Sequence, residues 1–191
     1  MSGIQFFDEQ PEIVTSRLLL RPLREADAEA MFAYASLEEA TKYVLFHTHR
    51  SVEDSAEFIR VATSQAGTGF GLVWAIELLE GHRMIGTIGI HNVELDVGSV
   101  EAGYIIHPDH WGKGYTAEAL EGVIAAVFGQ SDINRIAAMH VAEHVPSGRV
   151  MQKAGMTYEG TLRQFKLLKG APRDMSMYSI IRSDHEAARR R

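Results

Sequence analysis

The sequence predicts an α+β fold, in which a mixed β-sheet carries helices on both faces. Three strand-like runs separated by short polar turns precede Pro108, and runs joined in this way pair antiparallel. A glycine-rich turn and an amphipathic helix then lead to a further β-branched strand, a connection long enough for a parallel crossover. Two more strand-like runs near the C-terminus are typical of a hairpin. A mostly antiparallel sheet with one parallel pair is therefore expected.

The N-terminal part of the chain combines one strand with three helices. Its Ala- and Glu-rich stretch after Arg24 favours a helix. Ser36 with Glu39, and Ser51 with Asp54, have the spacing of helix start signals. The expected elements are an arm over residues 1–13, a strand over 15–21, helices over 24–35 and from Ser36, and a helix from Ser51 to Gly67.

The remainder alternates between strand and helix patterns. Apolar residues spaced for one helix face are Leu120, Val123, Ile124, Val127 and Phe128. The expected elements are strands over 72–78, 84–91 and 99–107, a helix closed by Gly129, a strand over 135–141, a helix over 146–154, and a hairpin of 158–165 with 175–181. The charged tail over 183–191 is expected to fray. With no repeat or linker, residues 1–191 are predicted to form a single domain.

Composition limits the partners and the compartment. The formal net charge of −6 argues against nucleic acid as a partner, because phosphate backbones need a basic surface. The chain has no cysteine, which excludes disulfides, a thiolate nucleophile and cysteine-based zinc sites. Neither a signal peptide nor a membrane-spanning apolar run is evident. A cytoplasmic protein without a membrane partner or a metal is expected.

A glycine-rich turn, Gly112-Lys113-Gly114, lies between a strand and a helix. The first backbone N–H groups of a helix have no partner within it and lie at the positive end of its dipole. Glycine removes the Cβ atoms that would keep an anion at a distance. A phosphate or pyrophosphate is the expected ligand, although the dinucleotide fingerprint fails at Ala117 and the Walker pattern is not met.

Three segments resemble one family in the right order. Glu101 to Leu120 (EAGYIIHPDHWGKGYTAEAL) resembles the acetyl-CoA loop of GNAT N-acetyltransferases of the RimJ/RimL-like branch. Ser147 to Met156 (SGRVMQKAGM) resembles a second block of that branch, and Thr15 to Leu23 (TSRLLLRPL) resembles its first strand. The resemblance covers about residues 14–182 and implies the GNAT fold, whose parallel pair of strands is splayed.

The resemblance also implies acetyl-CoA as co-substrate, with its pyrophosphate held by the backbone amides of 112–117. The pantetheine arm would lie along the strand as an added strand does. The implied cofactor-binding residues are Ile105, Ile106, His107, Trp111, Gly112, Lys113, Gly114, Tyr115, Thr116, Ala117, His144, Ser147 and Lys153. Trp111, Thr116 and His144 depart from the usual residues of the wider family, and relatives commonly carry Asn at the position of His144.

The candidate catalytic residues are Glu101, Ser147 and Tyr158. Alternation along the strand turns Glu101 away from its larger apolar row, and the resemblance places an acidic residue here near the substrate amine. Glu101 would accept a proton directly or through a water; the alternative is a salt-bridged strand residue. Ser147 is either a residue beside the thioester sulfur or a helix cap, or both. Tyr158 is a proton donor to the thiolate or a core tyrosine.

The expected reaction is direct attack of a primary amine on acetyl-CoA within a ternary complex, with a serine-linked intermediate left open. The expected acceptor is the N-terminal α-amine of a peptide or protein, such as a ribosomal protein. The alternatives are a polyamine or amino acid acceptor, or a non-catalytic acyl-CoA-binding module. The variable region 43–71 is expected to form part of the acceptor site, and a homodimer is compatible with the resemblance.

One further motif points to a different chemistry. His140 to His144 (HVAEH) matches the pattern of inverted zinc peptidases. That chemistry needs a helix, so that both histidines face one metal. A strand running into a loop is predicted here instead, which argues against the zinc peptidase.

Overall fold

A computed structural model of the chain describes Phe7 and residues 10–64 and 71–190. Its strands are β1 Ile13–Val14, β2 Leu18–Pro22, β3 Leu72–Leu78, β4 Met84–Glu94, β5 Ser99–Ile106, β6 Arg135–Val141, β7 Thr157–Leu168 and β8 Ala171–Ile181. Its helices are α1 Ala28–Ala35, α2 Glu38–Thr41, α3 Val52–Ser64, α4 Tyr115–Gln130, α5 Val145–Lys153 and α6 Arg182–Arg189. Short 3₁₀ turns cover Glu25–Asp27 and Pro108–His110.

The strands form a mixed sheet in the order β1-β2-β3-β4-β5-β6-β8-β7. β5 and β6 pair parallel, and the other neighbouring strands pair antiparallel. The connection from β5 to β6 runs through α4, as a parallel crossover requires. The predicted α+β class, with one parallel pair in a mostly antiparallel sheet, is confirmed.

The parallel pair separates before its strands end. Its register stops at Ala102 and Ala138, whereas β5 remains paired with β4 as far as Ile106. β6 likewise remains paired with β8 as far as Val141. Because both strands keep their outer neighbours, the separation opens a gap inside the sheet. The gap is bounded by residues 103–106 of β5 and 139–141 of β6.

The two faces of the sheet bury separate apolar clusters. The cluster under α4 and α5 includes Val100, Ala102, Ile106, Leu120, Val123 and Met151. The cluster under α1 and α3 includes Met31, Tyr34, Ile59, Ala75 and Ile105. Alternate residues of β5 therefore face opposite helical layers, as predicted, and Glu101 shares the α1–α3 face with Ile105. The gap connects these two faces.

Both ends of the chain are more ordered than expected where the structure describes them. Gln10 donates to the carbonyl of Val73 at 2.9 Å, and Trp74 Nε1 donates to the carbonyl of Pro11 at 2.7 Å. The described part of the predicted arm is thus fastened to β3, and residue 13 already belongs to β1. The tail expected to fray forms most of α6 instead, and the predicted frayed tail is wrong over 183–189.

α6 is held by its first residue. The Arg182 guanidinium donates to the carbonyls of Phe128, Ser131 and Ile133 at 2.5, 2.6 and 2.7 Å. These carbonyls lie at and beyond the end of α4, where helical carbonyls lack partners. The His185 ring packs on Phe128 with 5.3 Å between ring centroids. These contacts depend on tertiary packing, which the composition of the tail does not reveal.

The two predicted helix start signals had different outcomes. Asp54 Oδ2 accepts from the backbone N–H groups of Arg50 at 2.7 Å and Ser51 at 3.3 Å, so α3 starts as predicted. Its predicted end at Gly67 lies outside the described residues. The capping box at Ser36 is wrong, because Ser36 closes α1 and the uncapped Leu37 precedes α2. Among the helices in the described ranges, none combines the length and apolarity that crossing a membrane requires.

Candidate active site

The glycine turn forms an open concave start to α4. Gly112 and Gly114 have left-handed backbones, with φ of 73° and 83°. The first hydrogen bond within the helix joins the N–H of Glu118 to the carbonyl of Gly114 at 3.1 Å, so the N–H groups of residues 115–117 precede it. A Cβ placed on Gly112 would meet no atom within 4 Å. The turn thus offers free donors beside open space, which suits a phosphate.

The turn before β2 supports the glycine turn. One carboxylate oxygen of Glu118 accepts from Thr15 Oγ1 at 2.7 Å, Ser16 Oγ at 2.9 Å and the N–H of Arg17 at 2.8 Å. The Arg17 guanidinium pairs with the other oxygen at 2.6 Å, donates to the carbonyl of Lys113 at 3.1 Å and lies 4.4 Å from the Tyr115 ring centroid. The contacts of Arg17 with Glu118 and with the glycine turn are not predicted from the sequence.

Trp111 hydrogen-bonds to the last residue of β5. Its Nε1 donates to the carbonyl of Ile106 at 3.0 Å, while its ring is half exposed. The carbonyl of Ile106 therefore already has one partner within the protein, and its second lone pair can accept another hydrogen bond. His107 has a local role, since its Nδ1 accepts from the N–H of Asp109 at 3.1 Å.

Ser147 and Tyr104 meet across the gap. The Tyr104 hydroxyl oxygen lies 2.9 Å from Ser147 Oγ and 3.0 Å from the carbonyl oxygen of Ser147. Burial raises the pKa of the Tyr104 phenol above its usual range, so the phenol keeps its proton at neutral pH. The sequence predicts Ser147 but gives no sign that Tyr104 contacts it, because nothing along the chain shows that β5 reaches the start of α5.

Glu101 lies in a hydrogen-bonded cluster on the other face of β5. One oxygen accepts from Asn92 Nδ2 at 2.9 Å, and the other lies 3.3 Å from His91 Nε2. Burial alone would raise the pKa of Glu101, but the hydrogen bonds from His91 and Asn92 outweigh it and the pKa is lowered. Glu101 is therefore a carboxylate at neutral pH.

His91 reaches Glu101 because Gly103 has no side chain. A Cβ on Gly103 would lie 2.9 Å from His91 Cε1. His91 and Glu101 are direct partners in the antiparallel register of β4 and β5. The contacts of His91 and Asn92 with Glu101 are not predicted from the sequence, because they depend on the cross-strand register of β4 and β5.

His144 joins the segment after α2 to the end of β6. Its ring stacks on Tyr43, with 4.4 Å between centroids and 19° between planes. Burial lowers the pKa of His144, and His140 and Lys42 act in the same direction, so the ring is neutral at pH 7. His140 instead faces Gly148, where an added Cβ would lie 2.7 Å from its Nε2. The segment is a strand and a turn, as predicted, and its two histidines face different neighbours.

The structure does not bring Tyr158 to the Ser147–Tyr104 pair. The Tyr158 hydroxyl lies 2.8 Å from Thr161 Oγ1, and its ring packs on Tyr178 at 5.2 Å. Its catalytic role stays a prediction. Lys113 in the glycine turn and Lys153 at the end of α5 are both exposed, and their role in cofactor binding stays a prediction.

An open cavity of about 940 Å³ lies between the α2–α3 segment and the β7–β8 hairpin. Its lining residues are Glu38, Lys42, His47, Thr48, His49, Arg50, Asp54, Leu168, Lys169, Ala171 and Arg173. Part of the variable region therefore lines a cavity, and its role as an acceptor site stays a prediction. Two aromatic residues of that region do not line the cavity, since Tyr43 stacks on His144 and Phe46 packs on Phe58.

Comparison with known proteins gives consistent results. The family profile described as "Acetyltransferase (GNAT) domain" matches residues 17–157. YoaA of Bacillus subtilis (strain 168), an uncharacterized N-acetyltransferase, is 34% identical over 172 residues, which are 90% of this chain and 97% of that protein. A GNAT-family acetyltransferase from Bacillus anthracis superposes with a TM-score of 0.81 at 26% identity, covering 91% of this chain and 99% of the other.

A third relative was solved with its cofactor. RimL, a ribosomal L7/L12 α-N-protein acetyltransferase in complex with coenzyme A, superposes with a TM-score of 0.80, covering 90% of this chain and 98% of its own. Its sequence identity is 20%, so the likeness shows the shared fold alone.

Proposed function

Because the chain belongs to the GNAT acetyltransferase family, we propose that it transfers acetyl from acetyl-CoA to the α-amine of a peptide or protein N-terminus. The family makes it an acetyl-CoA-dependent N-acetyltransferase rather than a non-catalytic acyl-CoA-binding module. The observation that carries the proposal is the gap between β5 and β6. The glycine turn lies at one end of this gap. The Ser147–Tyr104 pair lies on one face of the sheet beside it, and Glu101 lies on the other face.

The cofactor approaches from the α4–α5 face in this proposal. The N–H groups of 112–117 hold the pyrophosphate, and the exposed side chains of Lys113 and Lys153 provide positive charge nearby. Pantetheine lies in the gap along Ile105 and Ile106. The thioester then reaches Ser147, at the point where both faces of the sheet are open to each other.

The chemistry is one substitution at the thioester carbon. The neutral amine forms the C–N bond, the C–S bond breaks, and the amine proton leaves to Glu101 through a water. When Tyr104 donates to Ser147 Oγ, the serine hydroxyl hydrogen is free to stabilise the departing sulfur. The thiolate finally takes a proton, for which Tyr158 stays a candidate donor. No covalent enzyme intermediate is needed.

The lowered pKa of Glu101 bears on the choice of amine. Burial opposes ionisation of this carboxyl, but its hydrogen bonds outweigh burial and leave a weak base. An α-amine has a pKa of about 7.7–8.0, against about 10.4 for lysine, so a useful fraction is neutral without a strong base. This supports an α-amine acceptor over a lysine side chain or a polyamine. A ribosomal protein as acceptor, and a homodimer, stay predictions.

Glu101→Gln tests the base. With an N-terminal peptide and acetyl-CoA, we expect kcat to fall about 100-fold at pH 7, measured by thiol release. The deficit should remain as pH rises past about 8, because a neutral amine still has to lose a proton when the C–N bond forms. The melting temperature should still rise with acetyl-CoA, since the glycine turn is intact.

Glu94→Gln is the matched control, because Glu94 is an exposed carboxylate at the C-terminal end of β4 that makes no contact with Glu101 among the hydrogen bonds and ion pairs of the described residues. It should keep wild-type kinetics. A Glu101→Gln variant with full activity at pH 7 would remove Glu101 from the mechanism. Wild-type protein that binds acetyl-CoA but acetylates no N-terminal peptide would overturn the proposed acceptor.

A further inference from the structure

The cavity between the α2–α3 segment and the β7–β8 hairpin is basic in an acidic protein. Four lining residues are cationic: Lys42, Arg50, Lys169 and Arg173. Only two lining residues, Glu38 and Asp54, are acidic. The whole chain has a net charge of −6, so this concentration of positive charge is local rather than a property of the surface.

Most of these cations have no carboxylate partner. Within residues 10–64 and 71–190, Lys42, Arg50 and Lys169 make no ion pair. Lys169 Nζ donates to the carbonyl of Thr41 at 2.8 Å, which holds the hairpin tip against α2. Asp54 is engaged by backbone N–H groups at the start of α3. The charge of Arg50 also acts on Asp54, so the positive character of the cavity is the excess of four cations over two carboxylates.

Arg173 adds a donor that the described residues leave unpaired. Its Nη1 lies 3.6 Å from Glu143, but its Nε is buried and has no hydrogen-bond partner. A buried donor without an acceptor is costly, because it has lost water and gained nothing in exchange. Arg173 lines the cavity and its side chain is partly exposed, so its guanidinium can also hold an anion there.

The cavity also lies where an acceptor would enter. Leu168 of its lining packs with Val141, Met139 and Tyr43, and the first two belong to the separated end of β6. α2 contacts β5 on the face that carries Glu101. A molecule held in the cavity is thus adjacent to the gap, on the side opposite the glycine turn.

We infer that the acceptor amine carries anionic groups, carboxylate or phosphate, which the basic cavity holds while the amine enters the gap. The inference rests on the proposed function and narrows its acceptor. A volume of about 940 Å³ has room for a few residues of an acidic peptide. Guanidinium and ammonium groups form strong charge-assisted hydrogen bonds with such anions and repel a polyamine.

The first experiment compares acceptors. Three peptides share an N-terminal Ala and differ only in their next three residues, all Asp, all Asn or all Lys. We expect kcat/KM to be roughly tenfold higher for the Asp peptide than for the Asn peptide, and lowest for the Lys peptide, with the preference weakening in high salt. Glutamate, phosphoethanolamine and spermidine are assayed as acceptors alongside the peptides, to distinguish a peptide acceptor from a small-molecule acceptor. An equal or better rate with the Lys peptide or spermidine would overturn the inference.

The second experiment removes charge from the cavity. The double variant Lys42→Gln/Arg50→Gln changes two exposed cavity residues, and Arg60→Gln removes one exposed charge from α3 outside the cavity. We expect the double variant to raise KM for the Asp peptide about tenfold, with KM for the Asn peptide and for acetyl-CoA unchanged. Arg60→Gln should match the wild type. An equal loss with both peptides would contradict the inference.

A binding measurement separates this inference from the proposed function. The N-acetylated Asp peptide and its Asn counterpart are titrated into CoA-loaded protein. Tighter binding of the Asp peptide than of the Asn peptide, lost in the double variant, supports an anion-binding cavity even if no peptide is turned over. Turnover without charge preference would support the proposed function and overturn the inference.

Discussion

At the scale of single residues, the Glu101 cluster depends on the absence of one side chain. His91 lies over Gly103 and points Nε2 at Glu101. Any larger residue at 103 competes with the imidazole for the same space. The geometry of a candidate base is thus set by its neighbours across the strand, and small shifts in that geometry are costly for proton transfer.

Gly103→Ala is expected to displace His91 while leaving the fold intact. The new Cβ would lie 2.9 Å from His91 Cε1, and this ring is free to rotate outwards because it is partly exposed. We expect kcat/KM to fall roughly tenfold and the melting temperature to change by only a few degrees.

A double-mutant cycle shows whether this loss acts through His91. His91→Ala should lower kcat/KM by a similar factor, and Gly103→Ala/His91→Ala should lose little more than either single variant. Additive losses would mean that Gly103 affects activity by another route.

At the scale of elements, the start of α4 is supported from outside the helix. The turn between β1 and β2 supplies four hydrogen bonds to Glu118, three of them to one oxygen, and the Arg17 guanidinium lies against the glycine turn. Burial alone would raise the pKa of Glu118, but the hydrogen bonds from Thr15, Ser16 and Arg17 lower it. A fixed anion and its arginine thus hold the amides expected to bind pyrophosphate.

Arg17→Ala is expected to raise KM for acetyl-CoA about tenfold with kcat nearly unchanged, because the glycine turn loses its support but the reacting groups do not move. Steady-state kinetics at saturating acceptor measures both constants. Arg24→Ala is the control, since Arg24 is exposed and lies 3.9 Å from Glu12. A fall in kcat at constant KM would place Arg17 elsewhere in the mechanism.

At the scale of the whole molecule, a buried ion cluster joins the edge of the sheet to the first helix. Arg21 of β2 pairs with Asp27 at 2.8 Å and with Glu77 of β3 at 2.6 Å. Burial alone would raise the pKa of Asp27, but hydrogen bonds from Arg21 and from the N–H of Arg24 outweigh it, and the pKa is lowered. Removing one member leaves a buried charge without its partner.

Asp27→Asn is expected to lower the free energy of unfolding by about 3 kcal/mol at pH 7. The pKa of Asp27 is lower in the folded than in the unfolded chain, so its contribution is present above pH 4 and is lost as pH falls. The difference between variant and wild type should therefore shrink towards pH 2, as measured by urea unfolding. Glu25→Gln, an exposed change in the same 3₁₀ turn, is the control. A difference that is constant with pH would contradict an ionised Asp27.

A second carboxylate contributes to the same acid dependence. The Arg135 guanidinium lowers the pKa of Glu159 to about 2, against the smaller opposing effect of burial. Glu159 is partly exposed, so solvent screens much of this effect and its contribution to stability is small. The main loss of stability in acid is expected from the buried cluster around Arg21.

The parts of this protein that the sequence determined by itself are local along the chain. The bounds of β3 and β6 and the start of α3 follow from alternation, helix signals and flanking turns. The glycine turn and α4 are contiguous, so an anion site at their junction is predictable from a short segment. These elements form through interactions between residues that are close in the sequence, and the covalent chain fixes the spacing of those residues.

The contacts that only the tertiary structure decided join distant segments. Tyr104 meets Ser147 across 43 residues, and Arg17 meets Glu118 across 101. The basic cavity combines the segment after α2 with a hairpin near the C-terminus, and α6 depends on carbonyls at the end of α4. Which side chains meet in these places depends on strand register and on how helices pack across the sheet. Both result from burying many apolar residues at once, so no short segment of the sequence encodes them.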